Sequence, residues 1–146
     1  MFKEENFMNN SSLVRTLLAT LVFGGILAAP GSLLWAGQQT DPLDGKTYVG
    51  EIGEKGKKEG EYSEEMSFKN GAMVSSACSS LGFTSFPYQV TVKGEAIEFV
   101  AEASNPTEGT LKWEGVVKGD TLNATSVWKK AGEPPDESWL TATLKH

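Results

Sequence analysis

The side chains able to do acid–base, nucleophilic or metal chemistry are few in this 146-residue chain. One cysteine, Cys78, and one histidine, the terminal His146, cannot build a Cys/His zinc site. They also leave no internal imidazole for a Ser-His or Cys-His couple. Two adjacent carboxylate pairs exist, Glu64-Glu65 and Asp136-Glu137. Neighbours on a strand point to opposite faces, so neither pair makes an acid/base couple by itself. The formal net charge is −6, from 13 Lys and Arg against 19 Asp and Glu, and the one basic run is the short Lys55–Glu61 segment KGKKEGE. That balance argues against a nucleic-acid partner. It leaves the run as a solvated loop, with an anionic-surface contact as its sharper alternative. No catalytic residue, metal or cofactor is expected, and the chain reads as a non-enzyme. An enzymatic reading would have to draw its acid and base from carboxylates, Lys or Tyr.

The residues that remain informative are aromatic or small: Trp113, Trp128, Tyr88, Phe86 and Ser75. Their meaning depends on the elements that carry them. Beyond residue 36 no window shows the i, i+3, i+4 apolar period of a helix, whereas alternation recurs throughout. MSFKNGAMV, VTVKGEAIEF and GVVKGDTLNA each alternate before and after a tight turn. The turns Asn70-Gly71, Gly94-Glu95 and Gly119-Asp120 are 24 and 25 residues apart. Asn-Gly suits a type I′ hairpin turn, and Gly-Glu or Gly-Asp suits type II′.

This rhythm predicts eight strands: Thr47–Ile52, Glu65–Lys69, Ala72–Cys78, Tyr88–Lys93, Ala96–Ala103, Thr110–Lys118, Thr121–Lys129 and Ser138–Lys145. Tight turns alternate with longer connections, so an antiparallel meander gathers the tight turns at one end and the long loops at the other. Closing it into an up-and-down barrel removes the exposed edges of an open sheet. The fold class is therefore all-β, an eight-stranded antiparallel up-and-down barrel.

The inward face of each strand follows from the alternation. It collects Tyr48, Met66, Phe68, Met73, Ser75, Tyr88, Val90, Val92, Phe99, Trp113, Leu122, Trp128 and Leu140, together with small residues such as Gly50, Ala101, Gly115, Ala124 and Ala142. Val100, Val116, Val127 and Trp139 fall outside. An eight-stranded barrel is wide enough to be filled by side chains or to hold one small ligand. Small residues at mid-height would leave a hollow, with Trp113 and Trp128 beside Tyr88 walling its entrance. Large rings packed over those same small residues would instead fill it. Cys78 reads as a buried inert thiol, with a reactive or ligand-touching role as its alternative.

Residues 1–36 read as an address. Arg15 precedes TLLATLVFGGILAA, Thr16 to Ala29, and Leu-Trp-Ala precedes Gly37. A positive lead, a short apolar run and a small terminal residue are the parts of a secretory signal, cleaved here after Ala36. Met8 is the cleaner start, since Glu4 and Glu5 are unusual in such a lead. The competing reading is an uncleaved anchor over Leu13 to Trp35. The expected mature protein is residues 37–146, periplasmic or extracellular, without a membrane anchor. Its 11 Lys and Arg against 17 Asp and Glu keep the charge at −6. The sequon Asn123-Ala124-Thr125 lies in a predicted strand, where the bacterial-looking signal makes it irrelevant.

The opening Leu43-Asp44-Gly45-Lys46-Thr47-Tyr48 and the hairpin WEGVVKGDTLNATSVW, Trp113 to Trp128, resemble the lipocalin-like (calycin) group of small exported barrels. That group begins its first strand with a glycine followed by a tryptophan closing the barrel bottom. Tyr48 takes that place here, one residue further from Gly45. The resemblance implies an open-mouthed barrel for a small apolar or amphipathic ligand, with Trp113, Trp128, Tyr88, Phe86 and Ser75 as ligand-binding residues. The alternative is an envelope or extracellular protein-interaction module with a filled core, whose long loops and Trp139 meet a protein partner.

Overall fold

The computed structural model describes residues 40–146, so the proposed leader and its cleavage after Ala36 lie outside the described residues. Eight strands close into one antiparallel barrel in chain order: β1 Thr47–Glu54, β2 Tyr62–Lys69, β3 Ala72–Ser75, β4 Phe86–Lys93, β5 Ala96–Asn105, β6 Gly109–Lys118, β7 Thr121–Lys129 and β8 Asp136–Leu144. Closure is made by β1 against β8, with Tyr48 opposite Leu144 and Ile52 opposite Leu140.

The three tight turns carry the φ signs their types demand. Asn70 and Gly71 are both positive, at 53° and 75°, as a type I′ turn requires. Gly94 and Gly119 are positive, at 61° and 56°, while Glu95 and Asp120 are not, which is the type II′ pattern. These turns sit at one end of the barrel and the longer connections at the other. Ahead of β1, Asp41–Lys46 laces the tight-turn end shut: the Gly45 N–H donates to the Phe68 carbonyl at 2.8 Å, and the Phe68 N–H to the Lys46 carbonyl at 2.9 Å. Leu43 is fully buried there. Tyr48 is also fully buried.

Two local expectations change. β3 ends at Ser75 instead of Cys78, because Ser76–Ser79 turn into a short helix, α1. Val92, expected inside, is 50% exposed, because the β4–β5 hairpin runs on past the β2–β3 turn. At mid-height, side chains and backbone occupy the space beside Gly115 and Gly50. Phe99 lies opposite Gly115, which lies opposite Ala124, and a Cβ on Gly115 would collide with the Phe99 ring. Gly50 is small for a similar reason: a Cβ there would strike the backbone of Ala142 on the closing strand.

Rings fill the tight-turn half of the interior. Phe68 meets Tyr48 edge-on at 6.1 Å, and Tyr88 and Phe99 edge-on at 5.1 Å each. Such edge-to-face pairs add about 0.5–1.5 kcal/mol each beyond their area burial.

Candidate functional site

The long-loop end is built around a strand that stops early. β2 and β3 pair only from Met66↔Ser75 to Lys69↔Ala72, so the first half of β2 loses its β3 partner. Side chains take over. Glu64, buried on the inward-facing register of Met66 and Phe68, accepts the Ser76 N–H at 3.0 Å and the Ala77 N–H at 2.9 Å. The Ser76 hydroxyl in turn accepts the Glu65 N–H at 2.9 Å. Ser75 is the N-cap of α1: its hydroxyl accepts the Cys78 N–H at 3.2 Å. The outcome is a helical turn held across the barrel mouth.

Under that turn lies a recess of about 120 Å³, lined by Ile52, Ala77, Cys78, Leu81, Trp113 and Trp128, with Ser126, Asp136 and Ser138 supplying polar groups. Trp128 forms its outer wall. Its indole N–H donates to the Glu108 carbonyl at 2.6 Å, and the Lys130 ammonium stands 5.7 Å from the ring centroid while pairing with Glu108 at 3.2 Å. Trp113 is its fully buried floor. Among the described residues the Trp113 indole N–H has no acceptor in hydrogen-bond geometry, although it lies near enough to the Cys78 sulfur to favour its thiolate. Burial outweighs that influence and the Ser75 contact, and pushes the Cys78 thiol above its ordinary value of 9.0. Cys78 is a free, buried thiol, and it also forms part of the recess wall.

Among the five expected ligand-binding residues, the recess brings together Trp113 and Trp128. The other three are placed elsewhere. Tyr88 turns to the opposite end, where its hydroxyl donates to the Asp41 carboxylate. Burial first, and then that carboxylate, raise its pKa above the usual 10.0. Phe86 is fully buried, stacked on Phe83 at 5.9 Å beneath the β3–β4 connection. Ser75 spends its hydroxyl on the cap. Sequence reasoning had assigned no structural role to Glu64, Phe83 or Leu43. Glu64 shares the parity of Met66 and Phe68, so extending β2 backwards by a few residues would have placed it inward.

In comparisons with known proteins, no family model, no curated protein and no solved structure matches the chain. The closed eight-stranded barrel is consistent with a lipocalin-like fold in general shape. The recess must therefore be read from its own chemistry.

The outer face carries a second concavity, of about 640 Å³, across β5–β8. Val100, Val116, Asn123, Thr125 and Trp139 line it, with Glu98 and Glu114 at its margin. Trp139 is fixed there: it lies against Gly53, and its indole N–H donates to the Lys57 carbonyl at 3.0 Å. Two lysines of the Lys55–Glu61 run are engaged in ion pairs. Lys55 meets Glu137 at 2.5 Å, and Lys57 meets Glu54 at 2.8 Å as well as Glu61. No group of three or more His, Cys, Asp or Glu side chains suited to a metal occurs among the described residues.

Proposed function

We propose that the barrel binds a compact apolar or amphipathic molecule at its long-loop end, between Trp128, Trp113 and α1. The observation that carries this reading is the recess itself, apolar on most sides with a few hydroxyls at its margin, which is the usual make-up of a small-molecule site. Its size limits the ligand. Pockets for drug-sized molecules run to roughly 300–1,000 Å³, whereas a cavity of about 150 Å³ takes a single benzene ring. At about 120 Å³ the recess suits one small ring or the end of a short acyl chain, with any polar head left among Ser138, Asp136 and solvent. We infer that the protein works after export, as a container without catalytic equipment.

Titration with single-ring aromatics, short and long fatty acids and a retinoid, followed by tryptophan fluorescence, tests the reading. The compact probes should shift or quench the emission, and the retinoid should not. Trp128→Ala should weaken the best probe by about tenfold or more, which corresponds to about 1.4 kcal/mol. Unchanged affinity in that variant, or no response to any probe, would remove the proposal.

The outer concavity favours a second reading, a protein-interaction module. Trp139 and the 44%-exposed Val100 present apolar surface there, rimmed by carboxylates. Loss of a co-purifying protein in Trp139→Ala, with small-molecule binding absent, would select it.

A further inference from the structure

The β4–β5 hairpin stands proud of the barrel wall on one side. β3 reaches β4 only through Ala72↔Pro87 and Met73↔Phe86, whereas β4 and β5 stay paired out to Lys93↔Ala96. The Tyr88 N–H is taken by the Gly71 carbonyl at 3.2 Å. Beyond it, the β3-side edge of β4 has no backbone partner among the described residues. The two-residue turn fixes which groups face that edge. Lys93↔Ala96 closes the turn, so Lys93, Thr91 and Gln89 direct their main-chain polar groups at β5. Val90 and Val92, on the parity of Tyr88, direct theirs at the open side. Such edges are ordinarily guarded by charge. The one charged side chain here, Lys93, is drawn back to Glu98 of its own hairpin at 2.7 Å.

The open segment Gln89–Lys93, QVTVK, complements itself in reverse about Thr91. In an antiparallel pairing across a two-fold axis at Thr91, Val90 lies opposite Val92 of a second copy, twice over. Gln89 lies opposite Lys93, so no like charges meet. The Val90–Val92 pairs are the ones whose N–H and C=O groups point outward, and they would exchange four main-chain hydrogen bonds. Their side chains would form a four-valine patch covering Val92, which is half exposed in the single copy.

We propose that this edge is the protein's homodimer interface, two copies joining β4 to β4 antiparallel about Thr91. The contact is isologous and closes on itself, so it consumes the edge instead of propagating it.

Thr91→Cys tests the register directly. Thr91 is exposed and would face its own copy as a non-hydrogen-bonded pair, with Cα atoms about 4.5 Å apart. That separation lies within the range of a disulfide. Lys93→Cys is the control, because the same register sets its two copies about 13 Å apart along the strands. Protein purified from cells expressing the full chain would be oxidised with copper–phenanthroline. The native Cys78 is buried and does not compete. Thr91→Cys should convert mostly to a disulfide-linked dimer, and Lys93→Cys should not. Sedimentation velocity of the unmodified protein should give twice the monomer mass, and Val92→Lys should halve it, while Val100→Lys, equally exposed but off the edge, should leave it unchanged. Equal cross-linking of the two cysteine variants, or a monomer whose Val90 and Val92 amides are nonetheless protected from hydrogen exchange, would overturn the proposal. The second outcome would assign the edge to another segment of the same chain.

Discussion

A single buried carboxylate ties α1 at the mouth of the barrel to β2. Glu64 is almost wholly buried, and its two oxygens take the Ser76 and Ala77 N–H groups where β3 leaves the sheet. The carboxylate of its neighbour Glu65 is half exposed and pairs with Lys145 at 2.9 Å. Removing a buried acceptor strands its donors, a cost of about 1–3 kcal/mol and larger for a charged partner, whereas an exposed ion pair is worth roughly 0–1 kcal/mol. Glu64→Ala should therefore lower the unfolding free energy by about 2–3 kcal/mol, and Glu65→Ala by less than about 1 kcal/mol. Urea denaturation of the two variants provides the comparison. Equal losses would mean that α1 is held by something other than Glu64.

At the scale of elements, the strand rhythm was legible because the turn chemistry is local. Asn70-Gly71 and the two Gly-acid turns specify their own φ signs, and the alternation on each side fixes the faces. α1 was not legible. Its cap and its clasp come from Ser75 at the end of β3 and from Glu64 on β2, a tertiary arrangement that overrides the alternation running through Cys78. The exposure of Val92 was equally hidden, since it follows from how far β4 slides past β3. The candidate site was legible in part for the same reason: Trp113 and Trp128 follow from parity and height, but Tyr88 is claimed by Asp41 and Ser75 by α1. Gly115 offers a sharp test of how the interior is filled. It has no positive φ, so its need for glycine is steric and lies in the Phe99 ring. Gly115→Ala should cost about 1–3 kcal/mol through overpacking. Phe99→Leu should relieve part of that cost, so the double variant should be less unstable than the two losses added together. Strict additivity in thermal unfolding would show that the two side chains do not share the space.

At the scale of the whole molecule, the two ends of the barrel share an electrostatic weakness. Tyr88 at the tight-turn end is shifted upward by burial and then by Asp41, with Asp44 adding to it. Tyr48 is shifted upward by burial and by Asp120, and its hydroxyl has no partner among the described residues. Cys78 at the mouth is shifted upward by burial. All three are acids that hold their protons more tightly when folded. The folded state therefore binds more protons than the unfolded state once pH exceeds the unfolded values, 9.0 for the thiol and 10.0 for the phenols. Their contribution is fully present below those values and is lost as pH rises through the folded ones. The melting temperature should thus show no loss from these groups up to about pH 9 and then fall steadily toward pH 11. Tyr88→Phe cannot ionise, so it should lower stability at neutral pH by removing the bond to Asp41, yet flatten the alkaline decline. A melting temperature unchanged between pH 9 and 11, or a Tyr88→Phe curve parallel to that of the unmodified protein, would show that the Asp41–Tyr88 closure is not what alkali opens.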